Sequence, residues 1–325
     1  MLKTVLAALC LTFVPVTSVP APVPAPVPAS VPAPVDAYVE RHRAATGLPG
    51  VAVAITRKGE VVHTAGYGET ATGEPVTAAT PMAVASVSKS FTALAVLRLA
   101  EQGKLALDQP VRRYLPEFTM ADPRAGKITV RMLLDQTSGM ADTAFREKSL
   151  PQPDTLRGAV ARLRTAKLAA DPGTAFSYHN TNYQVAARLV EVVGGRPFAD
   201  HLAAHVFEPL GMRRTTTIDT DRGLPGTARG HLYVLGRAVA LPEPTAFGNG
   251  SGGVISTADD MARWLIAQNA GLPGLLSPQG VEEMRTGSEQ NTDYALGWQL
   301  GTTDEGTPPC SNTGETCSPP PPTRW

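Results

Sequence analysis

The amino-acid sequence predicts an α+β fold, because an early hairpin and a late strand enclose a region of mostly helical patterns. Two runs rich in β-forming residues, Gly50–Thr56 and Val61–Tyr67, lie on either side of a short turn and predict the hairpin. From Ser86 onward, leucines recur among alanines at helical spacing until Gln102 and Gly103, where the run stops. The first strong helix of the chain is therefore expected to begin at Ser86.

Further helices are predicted where apolar residues keep helical spacing next to an end signal. Thr257 and Asp260 form a capping box that opens one of these helices, and Gly194 with Gly195 ends another. The predicted segments are residues 36–45, 130 onward, 156–169, 183–193, 198–207 and 257–265.

Length, composition and charge indicate a large folded domain and argue against nucleic-acid binding. The chain has 325 residues, 42% of them hydrophobic, enough for a sizeable core in one large domain or two joined lobes. Lys plus Arg and Asp plus Glu number 29 each, so the formal net charge is zero. Because no basic run offers a footprint for a polyanion, we expect no nucleic-acid partner.

The N-terminal segment predicts export. Lys3 precedes an apolar run from Val5 to Val16, and small residues follow at Ser18 and Ala21. The run is shorter than the roughly 20 apolar residues that span a bilayer, so we expect a signal peptide and no stable membrane span. Cleavage after Ser18 or Ala21 would give a secreted, extracytoplasmic protein.

The domain boundaries follow from composition. Residues 1–18, or up to 21, are the predicted signal peptide. Residues 19–35 repeat proline and predict a semi-rigid linker in polyproline II conformation. The folded domain is predicted over residues 36–316, and a Pro-rich tail follows over residues 317–325.

Ser86 and Lys89 are the first candidates for catalysis. Three residues apart on a helix, their side chains share one face and can touch. A serine hydroxyl is a poor nucleophile until a neighbouring group takes its proton. A lysine can take it when burial or nearby positive charge lowers the pKa of the amine. A capping serine and a solvated lysine are the alternative interpretation.

Tyr178 and Asn180 form the second candidate pair. A phenol near a cationic lysine can exist partly as phenolate and act as a base. The asparagine two residues further on can hydrogen-bond an amide of the substrate. His179, between them, either touches substrate or fills the loop. A polar loop that caps the following helix is the alternative for the whole segment.

In this order and with their flanking sequence, these segments resemble the class C β-lactamases and the D-alanyl-D-alanine carboxypeptidases, which are penicillin-binding serine hydrolases. The resemblance covers about residues 36–316. It is carried by residues 85–118, 128–140, 176–195, 207–212 and 251–265.

The resemblance implies both an architecture and residue roles. The architecture is an antiparallel sheet with flanking helices, together with a helical lobe between Ser86 and Tyr178 and beyond. The implied roles are Ser86 as the acylated nucleophile, Lys89 and Tyr178 as proton carriers and Asn180 as a contact to the substrate amide.

A third motif implied by the resemblance is Asn312-Thr313-Gly314, followed by Glu315. Thr313 would help to hold a substrate carboxylate, and the backbone N–H of Glu315 would join that of Ser86 in an oxyanion hole. Asn312 is neutral where the family has a base or a cation. The loss of a charged hydrogen bond would cost on the order of 1–2 kcal/mol of binding free energy.

The C-terminal sequence departs further from the family. The family has two more strands and a closing helix, whereas this chain continues as a proline run to Trp325, and proline cannot join a sheet interior. We therefore expect the last sheet strands and the closing helix to be missing. An extended strand from Cys310 to Cys317 would hold the two cysteines about 23 Å apart, too far for a disulfide.

Two other patterns are weaker. His201 and His205 lie four residues apart on a predicted helix, but the sequence offers no third ligand, so no metal site is predicted. Residues 248–253 fit the glycine pattern of dinucleotide-binding proteins, but they follow a Pro-rich stretch rather than a strand. They are predicted to form a flexible loop beside the site.

The expected function is that of an exported serine hydrolase acting through an acyl-enzyme on D-alanyl peptides, β-lactams or esters. Its partner would be a small-molecule or peptide substrate, and the chain would act as a monomer without metal or organic cofactor. One alternative is a catalytically impaired, truncated member of the family with at most penicillin or peptide binding. A proline-rich adaptor has only the linker in its favour.

Overall fold

A computed structural model describes residues 32–147, 150, 153–217, 226–234, 237–240 and 249–301. Within these ranges, the helices are α1 Pro32–Thr46, α2 Ser88–Glu101, α3 Val130–Leu134, α4 Leu156–Ala161, α5 Asn180–Gly194, α6 Phe198–Leu202, α7 Ala258–Asn269 and α8 Pro278–Arg285. The strands are β1 Gly50–Arg57, β2 Glu60–Gly68, β3 Met82–Ala83, β4 Thr216–Thr217, β5 His231–Val234, β6 Arg237–Ala240 and β7 Val254–Ser256.

Helix α2 lies at the centre of the largest core cluster. Phe91, Leu94 and Val96 are fully buried, and the Phe91 ring packs in a tilted arrangement against Trp264 of α7, with 4.2 Å between centroids. Helices α5, α6 and α8 also pack against α2. Most residues of α2 are therefore buried, as in a core helix. The packing fixes the N-terminal end of α2, where Lys89 lies and which Ser86 directly precedes.

Strands β1 and β2 form the predicted antiparallel hairpin, which packs between α1 and α7. Side chains alternate between the two faces of β1. Val53 packs with Val39 of α1 on one face, and Ala54 packs with Ala258 and Ala262 of α7 on the other. Alanines at this second contact allow the helix to approach the strand closely.

A small antiparallel sheet of order β3-β7-β4 lies next to the start of α2. Its centre is β7, which pairs with β3 at Ala83 and Ile255. The N–H of Val84 donates to the carbonyl of Val254 at 2.9 Å and extends this pairing towards Ser86. Strands β5 and β6 form a separate antiparallel hairpin. The predicted α+β class with antiparallel sheets is confirmed.

Helix α1 begins at Pro32, so residues 32–35, which the sequence assigns to the linker, lie in its first turn. Proline is tolerated there because the first N–H groups of a helix have no intrahelical acceptor. The hairpin and the helix opened by Thr257 lie where they are predicted, and Thr257 accepts a hydrogen bond from the N–H of Asp260.

Two predicted helices are shorter or less regular than expected. Helix α4 ends at Ala161 and continues as a 3-10 turn to Thr165, instead of running to residue 169. Ala166 and Leu168 bind residues 121–122 instead, through Ala121 N–H to Ala166 O at 3.0 Å and Leu168 N–H to Asp122 Oδ2 at 3.3 Å. Helix α6 ends at Leu202, and residues 203–207 continue it as a π-helical turn.

Several predictions fall on residues outside the described ranges. They are the signal peptide at 1–18, the linker up to residue 31, the motif formed by Asn312, Thr313, Gly314 and Glu315, the cysteines Cys310 and Cys317, and the tail at 317–325. In the part of the chain that the structure describes, no helix has both the length and the apolar character to cross a membrane.

Candidate active site

Ser86 lies on a 3-10 turn, Ala85–Val87, that leads directly into α2. The residue before it, Ala85, has a φ of 46°, in the left-handed region that L-residues rarely adopt. Such a conformation costs about 1–3 kcal/mol and persists only where the surrounding structure enforces it. It turns the chain sharply from β3 into α2 and leaves Ser86 at the bend.

Lys89 lies one turn further on and is fully buried. Its Nζ is 3.3 Å from Ser86 Oγ, 2.9 Å from Asn180 Oδ1 and 2.7 Å from the backbone oxygen of Ser251. The amine also lies 4.8 Å from the centroid of the Tyr178 ring. Three oxygens and an aromatic face therefore surround this amine.

Tyr178 completes the contacts of the serine, because its hydroxyl donates to Ser86 Oγ at 2.9 Å. Burial raises the pKa of Tyr178 to about 12, and the Glu147 carboxylate adds to the rise, although the hydrogen bond to Ser86 opposes it. The phenol is therefore protonated at neutral pH. The partial phenolate that the sequence suggested is not supported, and Tyr178 is a hydrogen-bond donor in the resting protein.

The 249–253 loop carries the third oxygen around Lys89. Thr92 Oγ1, from α2, donates to the carbonyl of Gly250 at 2.7 Å. Gly250 has a φ of 78°, and a Cβ at this position would lie 2.4 Å from the backbone oxygen of Tyr183. Only glycine fits this close approach of loop and helix. The loop is therefore beside the site, as predicted, but it is buried and held in place rather than flexible.

His179 has a structural role. Its ring is buried, with Nε2 at 2.9 Å from the backbone oxygen of Phe145 and 3.3 Å from Asp142 Oδ1. Of the two interpretations open from the sequence, filling of the loop fits these contacts.

His201 and His205 lie side by side with their ring centroids 4.6 Å apart. Burial, followed by the neighbouring His205, lowers the pKa of His201 to about 4. His201 is therefore neutral at pH 7, and burial lowers the pKa of His205 as well. Among the residues described by the structure, no group of three or more His, Cys, Asp and Glu side chains could hold a metal ion.

The structure thus brings together Ser86, Lys89, Tyr178 and Asn180, four residues that the sequence singled out. A hydroxyl between an amine and a phenol is the arrangement of an activated nucleophile. The carbonyl of Ser251 is a contact that the sequence did not predict, because a backbone oxygen carries no residue-type signal. The Asn312–Glu315 motif lies outside the described residues.

The family model described as Beta-lactamase matches residues 35–317. The chain belongs to the β-lactamase family. The resemblance inferred from the sequence motifs is confirmed, and the four assembled residues lie within the matched region.

This β-lactamase family member is similar in sequence to the D-aminopeptidase of Brucella canis. The two are 32% identical over 232 residues, and the aligned region covers 66% of this chain and 42% of the D-aminopeptidase. The chain spans about half the length of the curated relatives that it matches.

Two solved structures are similar to this β-lactamase family fold. The octameric penicillin-binding protein homologue from Pyrococcus abyssi superposes with a TM-score of 0.71 at 26% identity, over 82% of this chain and 64% of that one. The D-stereospecific amidohydrolase from Streptomyces sp. superposes with a TM-score of 0.66 at 28% identity, over 82% of each chain.

Proposed function

We propose that this protein is an exported serine hydrolase that cleaves amide or ester bonds at a D-amino acyl group, through an acyl ester on Ser86. The observation that carries the proposal is the environment of Lys89. Its buried Nζ contacts Ser86 Oγ, Asn180 Oδ1 and the oxygen of Ser251 at 2.7–3.3 Å.

The contacts of Lys89 support a role as the general base. Its two shorter contacts are to Asn180 Oδ1 and Ser251 O, oxygens that can only accept, so Lys89 donates to both. In its neutral form the amine, 3.3 Å from Ser86 Oγ, receives the serine proton as the nucleophile attacks.

Tyr178 supplies the proton for the leaving group. With a pKa of about 12 the phenol is protonated before the reaction. Ser86 transfers its proton to Lys89 as its ester forms. Tyr178 gives its own proton to the departing nitrogen or oxygen, and the resulting phenolate takes a proton back from the Lys89 ammonium. Water then replaces the leaving group and the same transfers run in reverse, which releases the acid and regenerates Ser86.

The substrate class is inferred from the relatives. A D-aminopeptidase and a D-stereospecific amidohydrolase have in common an acyl group that carries a D-residue. The D-alanyl peptides and β-lactams expected from the sequence fit the same description, and simple esters are the most general substrates of an acyl-enzyme. The export part of the proposal rests on the apolar run and small residues before position 22.

A covalent label tests the nucleophile. Purified protein is incubated with a fluorescent penicillin, and we expect one labelled serine, found by peptide mass spectrometry at Ser86. Ser86→Ala should abolish the label with an unchanged circular dichroism spectrum. Ser90→Ala is the matched control, because Ser90 is a buried serine of the same helix that bonds to Val87 O. Labelling of Ser86→Ala would refute the proposal.

Paired substrates test the stereochemistry. We expect the p-nitroanilides or methyl esters of D-alanine to be cleaved at least tenfold faster, by kcat/KM, than those of L-alanine. Equal rates for the two enantiomers would be compatible with a serine hydrolase but would overturn the proposed preference for D-amino acyl groups. Sequencing the N-terminus of protein collected from culture medium tests export, and a product retained in the cell with residues 1–18 would contradict it.

A further inference from the structure

Gln136 lies at the centre of the contacts that hold the Tyr178 segment. It is fully buried, and only Asp135 separates it from the end of helix α3. The backbone N–H of Ser177 donates to the backbone oxygen of Gln136 at 2.9 Å. The N–H of His179 donates to Oε1 of the same glutamine at 3.1 Å. The two residues on either side of Tyr178 are thus anchored to one residue 42 positions earlier.

The orientation of the Gln136 amide is fixed by its donors. Besides His179 N–H, the side-chain nitrogen of Asn182 donates to Oε1 at 2.6 Å. Asn182 is itself oriented, because its Oδ1 accepts from the hydroxyl of Ser138 at 2.6 Å. Two N–H groups that converge on one atom require an acceptor there, so the carbonyl end of the amide faces the Tyr178 segment.

The backbone of Gln136 is adapted to this double role. Its φ is 65°, a left-handed conformation that is unfavourable for glutamine. This bend lets the main-chain oxygen and the side-chain oxygen of one residue face the same segment. Strain in a fully buried residue next to the site suits a positioning device rather than ordinary core packing.

We propose that Gln136 is a positioning residue for acyl transfer, which acts by holding both neighbours of Tyr178 so that its hydroxyl stays on Ser86 Oγ; this rests on the hydrolase activity proposed above. Loss of the side-chain acceptor frees His179 N–H and Asn182, and the phenol moves away from the serine. A displacement of about 1 Å at a reacting group can lower a rate about 100-fold.

Two variants of Gln136 distinguish the effect of its hydrogen-bond acceptor from the effect of its side-chain volume. Gln136→Met keeps the length but removes the acceptor, whereas Gln136→Glu keeps an oxygen at the Oε1 position. We expect Gln136→Met to slow acylation by a fluorescent penicillin about 10- to 100-fold, with its apparent affinity changed less than threefold. Gln136→Glu should recover most of that rate. Equal rates for Gln136→Met and the unmodified protein would overturn the proposal.

A double-mutant cycle shows whether Gln136 acts through Tyr178. In a Tyr178→Phe background, Gln136→Met is expected to slow acylation by less than threefold further. A full additional loss would mean that Gln136 only supports the fold, and would contradict the positioning role. If Gln136→Met does not fold, Gln136→Asn replaces it, because asparagine tolerates positive φ and its shorter amide cannot reach His179.

A readout without catalysis keeps the inference separate from the proposed function. The protein is labelled with 3-fluorotyrosine, and the ¹⁹F resonance of Tyr178 is identified by its loss in Tyr178→Phe. Because burial raises the pKa of Tyr178, loosening in Gln136→Met admits water and should lower that pKa by about one unit. An unchanged titration would refute the positioning role. If the titration shifts but penicillin does not label the unmodified protein, the positioning role of Gln136 stands and the proposed hydrolase function is rejected.

Discussion

Ser86 lies on the 3-10 turn that leads into α2, and Lys89 lies in the first turn of that buried helix. Tyr178 and Asn180 instead lie where the backbone is fixed by a distant glutamine. The first pair is set by local geometry, since side chains three residues apart on a helix share a face. The second pair depends on tertiary hydrogen bonds from Gln136 to Ser177 and His179.

This difference separates two kinds of sensitivity. The helical pair is expected to tolerate changes in its surroundings as long as α2 stays packed. The Tyr178 side of the site is expected to lose its geometry when a single long-range contact is removed. Substitutions in the helical pair should therefore act mainly on the chemistry, and those around Tyr178 on both chemistry and position.

The largest effect is expected for Lys89→Met, which removes the proposed base from the helical pair. Acylation by a fluorescent penicillin should slow on the order of 10³-fold, within the roughly 10²- to 10⁴-fold contribution of a general base. Lys104→Met, at an exposed lysine, is the control and should react normally. Stopped-flow fluorescence measures both rates, and a loss below tenfold in Lys89→Met would assign the base elsewhere.

Tyr178→Phe should have the next largest effect, because it keeps the ring against Lys89 and removes only the hydroxyl. We expect kcat for a D-alanine p-nitroanilide to fall about 100-fold, as for a lost proton donor. KM should change little. A kcat within threefold of the unmodified protein would mean that the leaving group obtains its proton from another source.

A glycine pair tests how firmly the 249–253 loop is held. Gly250→Ala puts a methyl group 2.4 Å from Tyr183 O and is expected to lower the free energy of unfolding by about 3 kcal/mol. Gly195→Ala has a similar φ, 70°, but no atom within 4 Å, and should cost only about 1 kcal/mol. Urea denaturation measures both, and equal losses would show that crowding at Gly250 is relieved by movement of the loop.

The smallest effect is expected at alkaline pH, where Tyr178 contributes to the pH dependence of stability. Its pKa is about 12 in the folded protein, against 10.0 for an unperturbed tyrosine. The unfolded chain therefore loses this proton first, so the stability contributed by neutral Tyr178 is complete below pH 10 and is lost between pH 10 and pH 12. Allowing for partial solvation, the loss amounts to about 1–2 kcal/mol.

Urea denaturation at pH 9 and pH 11 checks this expectation. Tyr178→Phe should lose less stability over this interval than the unmodified protein, by about 1 kcal/mol. Tyr67, whose pKa is raised by burial and by Asp36, contributes equally to both proteins. The pKa values of Tyr183 and Tyr294 are raised partly by Tyr178, so these two residues add to the difference in the same direction. If Tyr178→Phe lost more stability than the unmodified protein, the pKa of Tyr178 would be lowered by folding and not raised.

Much of the fold could be predicted because its signals are local, and the four-residue site could be predicted because its local motifs resemble those of the family. The spacing of Ser86 and Lys89, the Tyr178-x-Asn180 pattern and the capping residue Thr257 each operate within a few positions. Gln136 was not singled out because its contacts with Ser177, His179 and Asn182 span 41 to 46 residues. They also need a left-handed backbone at Gln136, which no residue pattern predicts.

The errors have the same origin. The apolar pattern after Leu156 continues to residue 169, but Ala166 and Leu168 are held by residues 121–122, and a tertiary contact overrides helical spacing. The glycine-rich segment was predicted to form a flexible loop because it follows a Pro-rich stretch rather than a strand. Gly250 is instead needed where backbone approaches backbone, which only the folded packing can show.

One of the two firmest holds on the Lys89 amine is a peptide oxygen, that of Ser251. No codon change at position 251 can delete this oxygen, since every amino acid contributes the same carbonyl. Substitutions at position 251 can alter the loop but leave a carbonyl acceptor. At Asn180 the acceptor is a side-chain oxygen, and a single substitution can remove it.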